Sequence, residues 1–104
     1  MWIILNDAFF SIVDKARNRE RDLVVRSRRA NDIPKVFGVD AVHSPLNDYA
    51  FRAEISRESV AAVIAKRIED IDYNNFKNSV DDRKLHDAYA DVWGDLYGLN
   101  EKPD

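Results

Sequence analysis

The chain has 104 residues, no cysteine, 34% charged residues and a formal net charge of −3 at pH 7. This length fits a single domain spanning residues 1–104, and the lack of cysteine excludes a disulfide framework and a cysteine nucleophile. No apolar run approaches the ~18 residues that a membrane span requires, and the opening residues lack the basic character of a signal peptide. We therefore expect a soluble, cytoplasmic protein with no membrane partner.

The first part of the chain predicts three strands. Residues 2–5 and 9–13 are short apolar runs rich in β-forming residues, and an Asn-Asp pair between them is typical of a tight turn. A polar segment leads to a third run at 23–28. In this run one face carries Leu23 and Val25, and the other carries Val24, Arg26 and Arg28. Because side chains alternate along a strand, Arg26 and Arg28 are expected to share the face that looks away from the core.

A short helix and two further strands are predicted next. Asn31 or Asp32 caps the helix and Gly38 closes it in the left-handed conformation. A brief strand at 39–43 precedes the clearest alternation in the chain, at 49–55. One face of that last strand is expected to carry its four apolar residues: Tyr49, Phe51, Ala53 and Ile55.

Two amphipathic helices complete the predicted elements. Ser56 is the expected N-cap of the first, in which apolar residues recur at three- and four-residue steps as far as Ile71. The second begins near Asp82 and ends at Gly98, after which residues 101–104 are expected to fray. This order predicts an α+β fold with an antiparallel sheet of four to five strands and helices packed on one face, and its middle part fits a ferredoxin-like arrangement.

Five arginines surround the predicted connection between the second and third strands. Arg17, Arg19 and Arg21 flank its tip, and Arg26 and Arg28 project from the strand that follows. We call these five residues the arginine hairpin. Guanidinium groups bind phosphate or carboxylate through paired bonds, so the hairpin suits an acidic protein surface or a nucleic acid, while a solvated hairpin is the ordinary alternative. No aromatic residue interleaves with these arginines, which disfavours a single-strand binder.

The last predicted helix carries the opposite charge. Asp87, Asp91 and Asp95 follow one another at four-residue steps, and like charges at that spacing destabilise a helix by ~0.2–0.5 kcal/mol per pair. We call these three residues the aspartate stripe. An acidic stripe of this kind suits a basic groove on a partner, and solubilising charge is the ordinary alternative.

The sequence offers little that is typical of an enzyme. It lacks a zinc-binding histidine pattern, a phosphate-cradling glycine loop and a nucleophile elbow. We therefore assign no catalytic residue, metal ligand or cofactor. An unrecognised small hydrolase is the remaining enzymatic alternative, with Glu69, Asp70, Asp72 or His86 as its acid or base.

The aromatic content points to contacts beyond a small core. The chain contains two Trp, four Tyr and five Phe residues, more than a core of this size absorbs easily. An exposed apolar patch on a small protein marks a contact surface. A homodimer is one arrangement that would use such a patch, although core packing is the ordinary reading of each residue taken alone.

Several segments together resemble a family of small uncharacterised bacterial and phage-associated proteins. They are spread over almost the whole chain: residues 1–3, 9–13, 23–28, 48–52, 71–77, 86–89 and 92–93. The resemblance implies a stand-alone domain that is sometimes encoded on mobile DNA. It implies no activity, and it assigns no residue a role. Small acidic proteins in that setting are often inhibitors of host nucleic-acid machinery, anti-CRISPR proteins among them.

These observations lead to a functional hypothesis. We expect a non-enzymatic protein-binding module, most concretely a phage-type, anti-CRISPR-like inhibitor that occludes a host nucleic-acid-processing complex. Its partner would be a protein or a protein–nucleic acid complex, engaged by the arginine hairpin or the aspartate stripe. A direct nucleic-acid-binding protein that uses the arginine hairpin is the first alternative, and its affinity would fall steeply with salt.

Overall fold

A computed structural model describes residues 1–102, which form five strands, three α-helices and one 3₁₀ turn. The strands are β1 (Trp2–Ile4), β2 (Phe9–Val13), β3 (Leu23–Ser27), β4 (Val42–His43) and β5 (Phe51–Ile55). The helices are α1 (Asp32–Phe37), α2 (Arg57–Glu69) and α3 (Arg83–Tyr97), with the 3₁₀ turn (Lys77–Ser79) before α3. Over this part of the chain, no helix combines the length and the apolar character needed to cross a bilayer.

The strands form one antiparallel sheet in the order β1-β2-β3-β5-β4. The predicted α+β class and five-stranded antiparallel sheet are therefore confirmed. The run β3-α1-β4-β5-α2 places β5 between β3 and β4, as the first three strands of a ferredoxin-like fold require. The position on the other side of β3 is occupied by β2, which precedes this run in the chain, so the fold is compatible with a ferredoxin-like arrangement.

The main core lies on the face of the sheet that α1 and α2 cover, here called the inner face. Phe10 and Val25 are fully buried on this face, and Ile33 of α1 and Val60 of α2 pack with them. Each buried side chain of this size contributes ~1.5–3 kcal/mol through removal of apolar surface from water. The inner face is therefore the main source of stability.

The third helix corrects the prediction that the helices share one face. Leu85 and Tyr89 of α3 form a second core with Ile4 and Phe9. The pairing of β1 with β2 places Ile4 opposite Phe9, one residue along from the inner-face residue Phe10, so both point to the opposite, outer face. Because these two side chains are apolar, the outer face over β1 and β2 also needs a cover, and α3 supplies it.

Polar contacts fix α3 in this position. The buried Tyr89 hydroxyl donates a 3.0 Å hydrogen bond to the Ala8 carbonyl, and burial raises the pKa of that hydroxyl above its usual range. Asp82 caps the helix by accepting the Leu85 N–H at 2.9 Å and pairs with Arg29 at 3.0 Å. The backbone N–H, assisted by the guanidinium, holds the pKa of the Asp82 carboxyl below its ordinary value.

Two strand predictions near the fourth and fifth strands are wrong in detail. The strand predicted at 39–43 is limited to Val42–His43, and β5 begins only at Phe51. Tyr49 therefore lies in the preceding turn. Its ring packs beside Phe9 on the outer face, with centroids 6.4 Å apart, rather than with Phe51 on the inner face.

The predicted N-cap of α2 and the predicted C-terminal glycine of α1 are confirmed, whereas α2 ends at Glu69 and does not continue to Ile71. The Ser56 hydroxyl accepts the Ser59 N–H at 3.1 Å, which satisfies one of the free donors at the start of α2. Gly38 closes α1 with φ at 71°, a conformation in which a side chain is strained. Of the predicted frayed tail, residues 103 and 104 lie outside the described residues.

Candidate anion-binding site

The register of β3 and β5 places two arginines side by side. Arg26 and Arg52 are direct cross-strand partners, and both lie on the outer face, beyond the area that α3 covers. Like charges directly opposite each other destabilise an antiparallel pair. The sheet therefore carries an unfavourable arrangement at its centre, and such local costs are characteristic of functional sites.

A cleft of about 630 Å³ opens over these two arginines. Lys15 and Arg17, from the connection between β2 and β3, line it together with the arginine pair. We call these four residues and the space between them the basic cleft. Its floor and remaining walls are formed by valines, small polar residues and two acidic residues: Val13, Asn18, Val24, Val39, Asp40, Val42, Ser44, Asn47, Ala53 and Glu54.

The arginine pair contains hydrogen-bond donors that are buried and unused. The Nε atoms of Arg26 and Arg52 are inaccessible to solvent and have no partner in the described residues. A buried donor without a partner costs ~1–3 kcal/mol, and more when it is charged. A ligand that accepts hydrogen bonds from the other guanidinium nitrogens of the pair would offset this cost.

The other arginines show that such pairing is available elsewhere in this fold. Six of them have a carboxylate oxygen within 4.0 Å: Arg21, Arg28, Arg29, Arg57, Arg67 and Arg83. Within residues 1–102, the arginines without such a neighbour are Arg17, Arg19, Arg26 and Arg52. Three of these four line the basic cleft. Among the described residues, the arginine charge that has no carboxylate neighbour is therefore concentrated at this site.

The position of Arg26 is fixed by contacts outside the cleft. Its terminal nitrogen donates a 2.6 Å hydrogen bond to the Ser11 hydroxyl, and its guanidinium carbon lies 4.8 Å from the centre of the Tyr49 ring. Arg28 stacks on the same ring at 4.4 Å. An aromatic ring thus accompanies these arginines in space, although none interleaves with them in the sequence. However, Tyr49 is buried and already in contact with two guanidinium groups, so it offers no open platform for a nucleobase.

Glu54 organises the edge of the cleft without neutralising the arginine pair. Its two carboxylate oxygens accept the backbone N–H groups of Arg17 and Asn18, at 2.6 and 3.2 Å. In the described residues it makes no ion pair within 4.0 Å. The carboxylate therefore anchors the β2–β3 connection and positions Arg17, while the side chains of Arg26 and Arg52 keep their charge available.

The structure separates the five residues of the arginine hairpin. Arg17 and Arg26 line the basic cleft, whereas Arg21 pairs with Glu58 at 3.4 Å and Arg28 pairs with Asp48 at 3.3 Å. Arg19 is exposed and does not line the cleft. The expected crowding of five guanidinium groups is therefore reduced to two members of that set.

Sequence reasoning missed the other half of the site. Arg52 alternates with the apolar residues of the predicted fifth strand, but only the register of β3 with β5 brings it opposite Arg26. Lys15 gave no signal, because a single lysine in a polar connection is typical of a surface loop. One signal could have indicated Arg52: the alternation along the strand places it on the same face as Glu54.

The aspartate stripe lies on a different surface. Asp87, Asp91 and Asp95 are all exposed on α3, and none of them lines the basic cleft. Asp87 pairs with Arg83 at 3.9 Å and lies 3.6 Å from His86. In the part of the chain that the structure describes, the other two have no ion pair. The two predicted binding surfaces are thus separate.

The residues named for a hydrolase also lie away from the cleft. Glu69, Asp70 and Asp72 are exposed at the end of α2, and Asp70 pairs with Lys66 at 2.7 Å. His86 lies on α3 beside Asp87. Within residues 1–102, no group of three or more His, Cys, Asp or Glu side chains is arranged to hold a metal ion.

Comparisons with protein-family models, with curated proteins and with solved structures found no match for this chain. The function proposed below is therefore based on the geometry of the basic cleft.

Proposed function

We propose that this protein is a non-catalytic binding module that holds an acidic segment of a protein partner in the basic cleft. The observation that carries the proposal is the pair of facing guanidinium groups of Arg26 and Arg52, which line the cleft and have no ion-pair partner in the described residues. A carboxylate in the cleft would accept hydrogen bonds from the guanidinium groups that line it, and hydrogen bonds between charged groups are about twice as strong as neutral ones. Lys15 and Arg17 would meet further acidic residues at the rim.

An acidic protein segment fits the site better than a nucleic acid. The cleft also contains the carboxylates of Asp40 and Glu54, so it is not the uniformly positive groove that follows a phosphate backbone. No aromatic residue lines the cleft, so it lacks the stacking platform that single-strand binders use. The chain as a whole carries a net charge of −3, opposite to that of most nucleic-acid-binding modules.

The hypothesis of a phage-type inhibitor concerns the identity of the partner, and it remains a prediction. In that case, the cleft would engage an acidic surface of a host nucleic-acid-processing complex and occlude its substrate. Addition of the protein to such a complex is then expected to reduce its activity, and substitution of Arg52 is expected to relieve that inhibition.

The direct test measures binding of an acidic peptide to cleft variants. We would titrate fluorescein-labelled hexaglutamate with the wild-type protein, with Arg26→Gln and with Arg52→Gln, and follow fluorescence anisotropy. Each substitution removes one of the two anchoring donors, and we expect the affinity to fall at least about tenfold. The matched control is Arg21→Gln, which removes the same charge from a paired, exposed arginine and is expected to change the affinity less than about threefold.

A single-stranded oligonucleotide of equal charge serves as the competing ligand. The proposal requires that it bind more weakly than the peptide at the same ionic strength. If the oligonucleotide binds more tightly, with an affinity that falls by a log–log slope of about −0.7 per phosphate contact, the alternative of a nucleic-acid-binding protein is correct. Equal peptide affinities for all three variants and the wild type would exclude the cleft as the binding site.

A further inference from the structure

The β1 strand forms one edge of the sheet, and some of its hydrogen-bonding groups point outward. Met1 and Ile12 exchange two backbone hydrogen bonds of 2.8 Å. Because alternate residues of an antiparallel strand bond toward opposite sides, the N–H and C=O groups of Trp2 and Ile4 point away from β2. Within residues 1–102 they have no partner. Natural edge strands are usually protected by charged residues or proline, and β1 contains neither.

Exposed apolar side chains surround this edge. Trp2 is 70% exposed, Ile68 at the end of α2 is 63% exposed and Trp93 on α3 is 53% exposed. A trough of about 510 Å³ runs along β1, between the strand and the segment that follows α2, and is bordered by Ile71 and Tyr73. We call the apolar surface around this edge the β1 patch; it comprises Trp2, Ile68, Ile71, Trp93, Leu96 and Tyr97.

The total surface of the chain is large for its mass. It exposes 7759 Å², whereas a folded monomer of 12.0 kDa is expected to expose roughly 6,000 Å². The radius of gyration is 15.3 Å, against about 13 Å for a compact domain of about this length. A stable interface buries about 800 Å² on each partner. The excess surface is therefore sufficient to supply an interface of ordinary size.

We propose that the β1 patch is the interface between two copies of this chain, whose β1 strands pair antiparallel about a two-fold axis through Ile3. In this register Trp2 of each copy lies opposite Ile4 of the other, and the free N–H and C=O groups of both residues bond across the axis. Such an interface is self-complementary, as two-fold symmetry requires. Because β1 carries no charge, no like charges face each other across the strand pair.

A second copy fits the patch better than an extended peptide. A peptide strand would satisfy the backbone groups of Trp2 and Ile4, but it would occupy only the trough. Trp93 and Leu96, which line a neighbouring depression that also contains Ile4, would stay exposed. The edge of a second copy brings its own apolar helices and covers both regions.

The test is the mass of the protein in solution as a function of concentration. We would use sedimentation equilibrium over a micromolar to millimolar series for the wild type, Trp2→Lys and Trp2→Pro. The proline variant removes the outward N–H together with the indole, which packs on Phe9, and leaves the bonds between β1 and β2 in place. The matched control is Leu46→Lys, which adds the same charge to a fully exposed residue in the turn after β4, the opposite edge. We expect a wild-type dimer, an unchanged control, and a dissociation constant raised at least about tenfold in both Trp2 variants.

A wild-type protein that is monomeric throughout the series would overturn the proposal, even if a peptide binds the patch. A dimer that both Trp2 variants preserve would overturn it as well. If those variants unfold, amide exchange of the wild type decides: the Trp2 and Ile4 amides must be protected in concentrated protein and exchange rapidly on dilution. The basic cleft lies over β3 and β5, so failure of either proposal leaves the other unaffected.

Discussion

The two halves of the outer face of the sheet differ in what covers them. Over β1 and β2 the face presents Ile4 and Phe9, and α3 packs on these side chains. Over β3 and β5 the same face presents Arg26 and Arg52, and a cleft remains open above them. The apolar half is closed and contributes stability, whereas the charged half keeps buried donors without partners at a cost in stability.

This difference separates the structural and the proposed functional parts of one surface. A fold selected only for stability would place hydrophobic or oppositely charged residues opposite each other on β3 and β5. Elsewhere it does pair its arginines with carboxylates, as at Arg29 with Asp32. The unpaired guanidinium groups of the open half are thus a local exception, and ligand binding is the explanation that we propose for it.

The largest expected effect is the loss of the α3 cover. Tyr89 is only 6% exposed and packs against Phe76 and the outer face. Tyr89→Ala leaves a cavity between α3 and the sheet, and we expect the free energy of unfolding to fall by about 3–5 kcal/mol. Urea denaturation followed by circular dichroism measures it. A loss below about 1 kcal/mol would mean that α3 contributes little to the closed half.

A smaller effect is expected when only the hydroxyl of this residue is removed. Tyr89→Phe keeps the ring and loses the hydrogen bond to the Ala8 carbonyl. That carbonyl also accepts the Leu5 N–H, so it is not left without a partner. We therefore expect a loss of about 1 kcal/mol, measured by the same denaturation. A loss as large as that of Tyr89→Ala would show that the hydrogen bond, rather than packing, holds α3.

In the open half of the outer face, over β3 and β5, a substitution is expected to raise the free energy of unfolding. Arg52→Met keeps the aliphatic stem but removes one of two facing charges and its unpartnered Nε. We expect the protein to become more stable, by about 0.5–1 kcal/mol, while it loses the acidic peptide. The control is Arg57→Met, which breaks the ion pair with Asp14 and is expected to be neutral or destabilising. A destabilised Arg52→Met variant would contradict the assignment of the pair as a costly site.

The smallest expected effect concerns how thermal stability changes as the pH is lowered. The pKa of the Asp82 carboxyl is lowered in the folded state. Its charged form therefore stabilises the fold above the unfolded-state pKa of about 4, and this stabilisation is lost as the pH falls through the folded-state pKa. Asp82→Asn keeps a good N-cap but removes the charge beside Arg29. We expect the wild type to have the higher melting temperature at neutral pH, with a difference that disappears in acid. A difference that persists after full protonation would rule out a charge effect.

Much of this architecture follows from local patterns, but the two halves of the outer face do not follow equally well. The adjacent apolar pairs Ile3-Ile4 and Phe9-Phe10 indicate that both faces of β1 and β2 are buried. That signal was available, and a prediction based on it would have placed a helix on each face. The position of Tyr49 is different in kind: alternation cannot show where a strand begins, so a residue in the preceding turn was assigned to the wrong face.

The basic cleft was only partly predictable for a physical reason. Arg17 and Arg26 stood out because they belong to a basic segment of the chain. Arg52 is a single arginine in a strand far along the sequence, and its partnership with Arg26 depends on the register of β3 with β5. Such register is determined by the packing of the whole inner face, which no short motif encodes.

The most direct test of the central claim observes the two buried donors themselves. The Nε–H signals of the arginines are recorded by ¹⁵N NMR while hexaglutamate is added to the wild-type protein. If the peptide is anchored in the basic cleft, the signals of Arg26 and Arg52 shift together and reach saturation at one peptide per chain, while that of Arg21 stays in place. If those two signals stay in place, or if all arginine signals shift alike without saturation, the peptide is bound elsewhere and the central claim is wrong.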